Sequence, residues 1–174
     1  VMTATPIPRS VAMTVFGDLE TIELRDRPAG RAEGKTVFVD TARNPHWVDR
    51  AWERIREEVA QGRQAFVVCP AISGNKTEGD LEAGAGLSAV TEITPMLAEG
   101  PLKGLRVGMV HGRQATAERD RTMRAFTAGE LDVLVSTTVI EVGVDIPNAA
   151  VMVVLDADRF GIAQLHQLRG RIGR

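Results

Sequence analysis

A chain of 174 residues with 44% apolar side chains is long enough for one α/β domain with a sizeable core, and too short for two such domains. Its net charge of -2 gives no global pull toward nucleic acid, so any phosphate contact must come from local patches. Aromatics make up 4% and tyrosine is absent, which leaves the core to Val, Leu, Ile, Ala and Met and argues against a base-stacking platform for single strands.

Cys69 is the single cysteine, so an intramolecular disulfide or a cysteine-rich zinc site is excluded; its place at the end of an apolar run predicts a buried thiol in a reducing compartment. No apolar run approaches membrane-spanning length, and the first residues lack a basic segment followed by a hydrophobic one. The expectation is a cytoplasmic chain with no membrane partner and no metal site of its own.

The chain opens on Val1-Met2-Thr3-Ala4-Thr5-Pro6, which reads as a strand end and turn, with Pro6 and Pro8 holding the backbone extended. Ser10 is placed to cap a short helix over Val11 to Phe16, ended by Gly17. From Thr21 to Lys35 the chain is charged and turn-rich, as in a connector, and the domain boundary is set near residue 20. Thr36-Val37-Phe38-Val39-Asp40 predicts a short strand. Asn44 followed by Pro45 predicts a helix start, and Val48, Trp52, Ile55 and Val59 mark one apolar face up to Gly62. His46 falls on the surface at that start.

Gln64 to Pro70 is a continuous apolar run, hence a buried parallel strand. Ile72 to Gly86 is polar and glycine-rich and predicts a mobile loop; Leu87 to Leu97 predicts a helix despite Pro95. Leu105 to Val110 is the next strand, and His111-Gly112-Arg113 follows its carboxyl end, where open parallel sheets hold their ligands. Gly112 lets a phosphate approach backbone N–H groups and Arg113 adds charge, whereas His111 fits equally a structural hydrogen bond.

Thr116 is placed to cap a helix running to Ala128 and ended by Gly129. Leu131 to Ser136 is a further buried strand that delivers Thr137 and Thr138 to its end, where hydroxyls and N–H groups can hold a phosphate without reading bases. Val139 to Val142 reads as a helical turn, Gly143 relieves crowding, and Asp145 precedes Pro147. Ala150 to Leu155 is the last strand, and Asp156 to Gly161 turns into a final helix. That helix leads to Arg169, Arg171 and Arg174, separated by Gly170 and Gly173. Two guanidinium forks, from Arg171 and Arg174, suit one polyphosphate; a solvated basic surface helix is the alternative. Strand–helix repeated about four times makes the fold class α/β, a doubly wound parallel sheet flanked by helices.

Three stretches, in order, resemble boxes of the superfamily 2 helicases. Thr3-Ala4-Thr5-Pro6-Ile7-Pro8-Arg9 is similar to motif III, Ser136 to Pro147 to motif V, and Gln167-Leu168-Arg169-Gly170-Arg171-Ile172-Gly173-Arg174 to the Q-x-x-G-R-x-G-R box of motif VI. Within the superfamily, Met2 to Arg9 followed by Gly17-Asp18-Leu19 resembles the RecG type of branch-migration helicase. The transcription-repair coupling type, Mfd, shares the Pro-Ile-Pro-Arg and Gln-Leu-His-Gln-Leu-Arg-Gly-Arg wording but usually differs around Gly17-Asp18-Leu19 and Glu141-Val142-Gly143.

The resemblance implies a RecA-like second motor domain over residues 21–174, stopping after motif VI, with residues 1–20 as the end of the first motor domain and the connector. It implies an ATP-dependent DNA helicase working in recombination and repair on branched DNA, without sequence preference. It assigns Arg171, Arg174 and Gln167 to catalysis, Gly143, Asp145 and Gly170 to ATP, His111, Gly112, Arg113, Thr137 and Thr138 to DNA, and Thr3 and Thr5 to coupling. The chain holds no G-x-x-x-x-G-K-[ST] loop and no acidic D-E-x-H-type box. ATP with Mg²⁺ is therefore expected to be held mainly by a first motor domain of the same protein, and the chain alone is expected to be catalytically silent. An Mfd-like translocase, or a non-catalytic nucleic-acid-binding module with a motor-like fold, are the alternatives.

Overall fold

The structure, a computed structural model, describes residues 35–70, 85–137, 148–170 and 172. Four parallel strands form its centre: β1 (Gln64–Cys69), β2 (Val107–Val110), β3 (Val133–Thr137) and β4 (Ala149–Val154), in the order β2-β3-β1-β4. β1 is buried along its whole length between β3 and β4, which is why its sequence runs apolar without alternation.

Successive side chains of β1 nevertheless serve opposite faces. Ala65, Val67 and Cys69 join Trp52 and Ile55 of α1 (His46–Ala60) and Val90 and Leu97 of α2 (Ala85–Glu99). Phe66 turns the other way, toward Met123 and Phe126 of α3 (Thr116–Thr127), and its ring meets Phe126 edge-on at 5.0 Å between centroids. Val68 faces Phe160 and Leu168, the latter on α4 (Ile162–Arg169). The expected doubly wound architecture is thus present, with α1 and α2 on one face and α3 and α4 on the other.

The amino-terminal rim of the sheet is tied by side chains. The buried Gln64 amide donates to the Phe126 and Leu131 carbonyls at 2.6 and 2.7 Å, and Asn148 donates to the Gly62 carbonyl at 2.9 Å. Arg106 meets Asp132 through both its backbone N–H and its guanidinium. That guanidinium holds the Asp132 carboxyl below the usual carboxylate range. Glu58 is buried yet ion-paired to Arg54 and Arg63, and Arg56 donates to the Pro101 and Lys103 carbonyls beyond α2.

Several local readings need correction. Thr36 to Asp40 forms no strand; Val37, Phe38 and Val39 lie exposed with no ladder partner among the described residues. Asn44 does not cap α1 by its side chain: its carbonyl receives the Trp47 N–H, and Asp40 instead accepts from the Ala42 and Arg43 N–H groups. Thr116 is the first helical residue of α3, not its cap, and Ala115 stands in the cap position with no side-chain bond. α2 begins at Ala85, two residues before the predicted start, and continues through Pro95. Gly62 and Gly129 do end α1 and α3, at φ +79° and +76°, where a Cβ is disfavoured. The rest of the segment read as a mobile loop, the predicted turn over Val139 to Val142, and the whole stretch before Lys35 lie outside the described residues.

Candidate functional site

The carboxyl ends of the strands are the place to look for chemistry in an open parallel sheet. β2 ends at Val110, whose partner on β3 is Ser136, so His111 and Thr137 each follow a paired residue on neighbouring strands. Thr137 in turn stands beside Cys69 at the end of β1. The structure therefore brings His111 and Thr137 to one rim, as the sequence predicts.

The turn after β2 is stitched by a residue that sequence reading passed over. The Gln114 side chain accepts the His111 N–H at 3.2 Å and donates to the Met109 carbonyl at 3.3 Å, while its own N–H reaches the His111 carbonyl at 3.2 Å. An amide three residues beyond a strand-end His was the available signal. The stitched turn leaves Gly112 and Arg113 exposed, and a Cβ on Gly112 would meet nothing within 4 Å. Crowding by the described residues therefore gives no reason for glycine at 112.

Three buried polar atoms lack a hydrogen-bond partner among the described residues: His111 Nδ1, Arg119 Nε and Ser136 Oγ. Arg119 precedes Met123 by one helical turn and Phe126 by two, so it lies on the stripe of α3 that faces the sheet. His111 and Ser136 sit at the strand ends toward which that stripe rises. Unsatisfied buried groups are uncommon in folded domains, and here all three fall on one rim. Arg119 and Ser136 were not among the predicted site residues; a charged residue on an otherwise apolar helical stripe was the sign.

On the other side of this rim, β4 runs through Leu155 into Asp156, which adopts the left-handed conformation at φ 46° and ψ 52°. A short 3₁₀ turn, Ala157–Arg159, follows, and α4 starts after Gly161, whose N–H is accepted by the Gln164 side chain at 3.0 Å. Burial, with Asp156 nearby, pushes the Cys69 thiol up to about 11. It stays protonated at neutral pH, which fits a structural thiol and not a nucleophile.

α4 carries the exposed Gln167, and Gly170 closes its carboxyl end with ordinary helical dihedrals. His166 and Arg169 occupy its last turn, where the helix dipole favours cations. Leu168 anchors the helix on Val68 and Phe160. Gln167 and Gly170 therefore stand over β1, separated from the His111 turn by two strand spacings, roughly 10 Å. Arg171, Arg174, Thr138, Gly143, Asp145, Thr3 and Thr5 lie outside the described residues.

Residues 50–174 match the helicase conserved C-terminal domain family. The chain belongs to that family. Among its relatives, the ATP-dependent DNA helicase RecG of Mycobacterium tuberculosis (strain ATCC 25618 / H37Rv) is 57% identical over 175 residues, and that of Escherichia coli (strain K12) 45% identical over 174. All of this chain is covered in both cases, against 24% of each relative, so the chain spans about a quarter of their length. The similarity identifies it as the C-terminal helicase region of the RecG type, within superfamily 2. Among solved structures, a Saccharomyces cerevisiae Dbp5 variant bound to a Gle1 variant and IP6 superposes with a TM-score of 0.52 at 21% identity, over 99% of this chain and 39% of that one. The yeast splicing factor Prp28 gives 0.50 at 16% identity, over 72% and 24%. At these identities the likeness concerns the fold, which is RecA-like as the sequence predicts. Among the described residues no helix is long and apolar enough to cross a membrane.

Proposed function

We propose that the chain is the second motor domain of an ATP-dependent DNA helicase or translocase that acts on branched DNA, such as replication forks and Holliday junctions. The observation that carries this reading is the placement of α4. The helix that leads into the arginine box is seated on the same carboxyl rim as the His111 and Thr137 strand ends. In this reading the end beside β1 faces the polyphosphate and the end beside β2 grips the DNA backbone.

The described residues fit a share of a nucleotide site, not a whole one. Gln167 is exposed at the end of α4, and the exposed Arg169 guanidinium in its last turn can meet an anionic group. ATP supplies the phosphoryl group whose transfer drives the cycle. Its β- and γ-phosphates and Mg²⁺ belong, in this proposal, to a first motor domain of the same protein, because this chain holds no phosphate-cradling loop. Arg171 and Arg174 act as arginine fingers that stabilise charge in the transition state, an effect of roughly 10³–10⁵ in rate in comparable systems. Gly143, Asp145 and Gly170 line the nucleotide, and Thr3 and Thr5 couple its state to the DNA grip.

DNA is held through its backbone. His111, Gly112, Arg113, Thr137 and Thr138 contact sugar and phosphate, which sets register without sequence preference. The open space at Gly112 supports this, since a strand can approach the backbone there. The protein serves recombination and repair in the cytoplasm, and the chain by itself hydrolyses no ATP.

The test is ATP hydrolysis by the full-length protein with a branched fork, plain duplex or no DNA, beside an Arg174→Ala control. Strong stimulation by the fork that the control loses is the expected result. Equal stimulation by plain duplex points to an Mfd-like translocase instead. No hydrolysis under any condition leaves a non-catalytic binding module. Arg171→Ala is expected to abolish hydrolysis and leave ATP binding largely intact; unchanged hydrolysis overturns the finger assignment.

A further inference from the structure

α4 is held to the sheet by a narrow contact. Six of its eight residues are exposed, and the described residues cover only Leu168 and, in part, Leu165, which stand one turn apart on the same stripe. Two contacts on one stripe settle where a helix rests, but not by themselves its tilt. The bearing of α4 therefore depends on the chain that leads into it.

That lead is fixed at both ends. Leu155, the residue after β4, donates its N–H to the Val68 carbonyl at 2.9 Å, so the backbone stays with β1 up to that point. At Phe160 the chain is anchored again, its ring buried with Val68 and Leu168. The change of direction falls between them, where the Arg159 and Phe160 N–H groups reach the Asp156 and Ala157 carbonyls at 3.0 and 3.2 Å. Asp156 begins the turn. At φ 46° and ψ 52° it is the one residue other than glycine at positive φ among the described residues.

The residue type at 156 answers to the backbone rather than to a bond of its side chain. The carboxylate makes no cap hydrogen bond, its side chain is 63% exposed, and it stands 4.0 Å from the Arg159 guanidinium, the outer limit of an ion pair. Glycine enters the left-handed region freely and Asp and Asn enter it readily, whereas most side chains are biased against it by roughly five- to thirtyfold. For a β-branched side chain it is a genuine outlier.

We propose that Asp156 is a positioning residue for ATP hydrolysis: its left-handed backbone is the pivot that sets the bearing of α4, and with it Gln167 and the arginine box that follows. Asp156 touches no reacting atom in this scheme, and its charge is dispensable. The link to hydrolysis rests on the function proposed above, whereas the control of the helix by the pivot rests on the fold alone.

The test uses the full-length protein with Asp156→Asn, Asp156→Gly and Asp156→Val, and with Asp156→Ala should the valine variant fail to fold. Spin labels on Ile162→Cys and Met96→Cys, both exposed positions, read the bearing of α4 against α2, the buried Cys69 staying out of reach. Fork-stimulated ATP hydrolysis is measured on the unlabelled variants, beside Arg174→Ala. The asparagine and glycine variants are expected to keep the native distance and the native kcat. The valine variant is expected to shift or broaden the distance and to lose kcat roughly ten- to a hundredfold at unchanged KM for ATP, the signature of displaced transition-state contacts. A lower melting temperature with native kcat and distance makes the turn merely structural and overturns the proposal. Equal losses in all the variants put the role in the carboxylate, which also overturns it. A shifted distance with native kcat, where Arg174→Ala is inactive, overturns the positioning role. Arg174→Ala without effect defeats the finger assignment instead, and the distances alone then decide the pivot, a native distance in the valine variant overturning it.

Discussion

The two rims of the sheet are built on opposite terms. At the amino-terminal rim, Gln64, Asn148, Asp132 and Arg106 satisfy one another or nearby carbonyls. At the carboxyl rim, His111 Nδ1, Arg119 Nε and Ser136 Oγ have no partner among the described residues, and Asp156 sits in a left-handed conformation that residues other than Gly, Asn and Asp seldom adopt. The difference teaches that the polar groups of one rim are satisfied within the described residues, while those of the other look to partners beyond them.

Substitutions can sharpen or break this contrast. Phe126→Ala sets the scale, because the ring packs on Phe66 between the two rims; a loss of about 3–5 kcal/mol in urea unfolding is expected. A smaller loss would mean that the core itself is loose and the contrast between rims uninformative. Gln64→Leu strikes the satisfied rim. It strands the Phe126 and Leu131 carbonyls and is expected to lose about 1–3 kcal/mol by the same measurement.

Ser136→Ala, at the other rim, removes a buried hydroxyl that has no partner among the described residues, so stability should stay level or rise by up to about 1 kcal/mol. A clear loss there would erase the distinction. The smallest effect concerns acid. Hydrogen bonding from Arg106 lowers the Asp132 pKa in the folded state, so its contribution is present above the ordinary value of 3.8 and is lost as pH falls through the depressed folded value. Unfolding midpoints of the native chain and Asp132→Asn should therefore differ at pH 7 and converge in strong acid; a constant difference would rule the carboxylate out.

Most of the central sheet could be read from the chain because its strands are short, largely apolar runs. Gln64 to Cys69 and Leu131 to Ser136 have no other comfortable place than a buried parallel strand. Helix starts were harder. Asn44 and Thr116 are good caps by residue type, but the Asp40 turn and the extended Ala115 supplied the actual geometry. Thr36 to Asp40 has strand composition without a strand partner in the described fold, since pairing is decided by distant residues that composition does not reveal.

For the candidate site, the strand-end residues His111 and Thr137 were legible because parallel sheets expose their carboxyl ends. Gln114, Arg119 and Ser136 were not. Their interest lies in bonds made or missing, and those depend on α3 lying across β2 and β3.

The position of β1 has a consequence for how the protein is made. Ala65 finds its ladder partners in Val133 and Val151, both far downstream. During synthesis this apolar segment leaves the ribosome well before either neighbour exists. The centre of the sheet must then wait, unpaired, for the last strands, and nascent-chain chaperones have their longest exposure at Ala65 to Cys69.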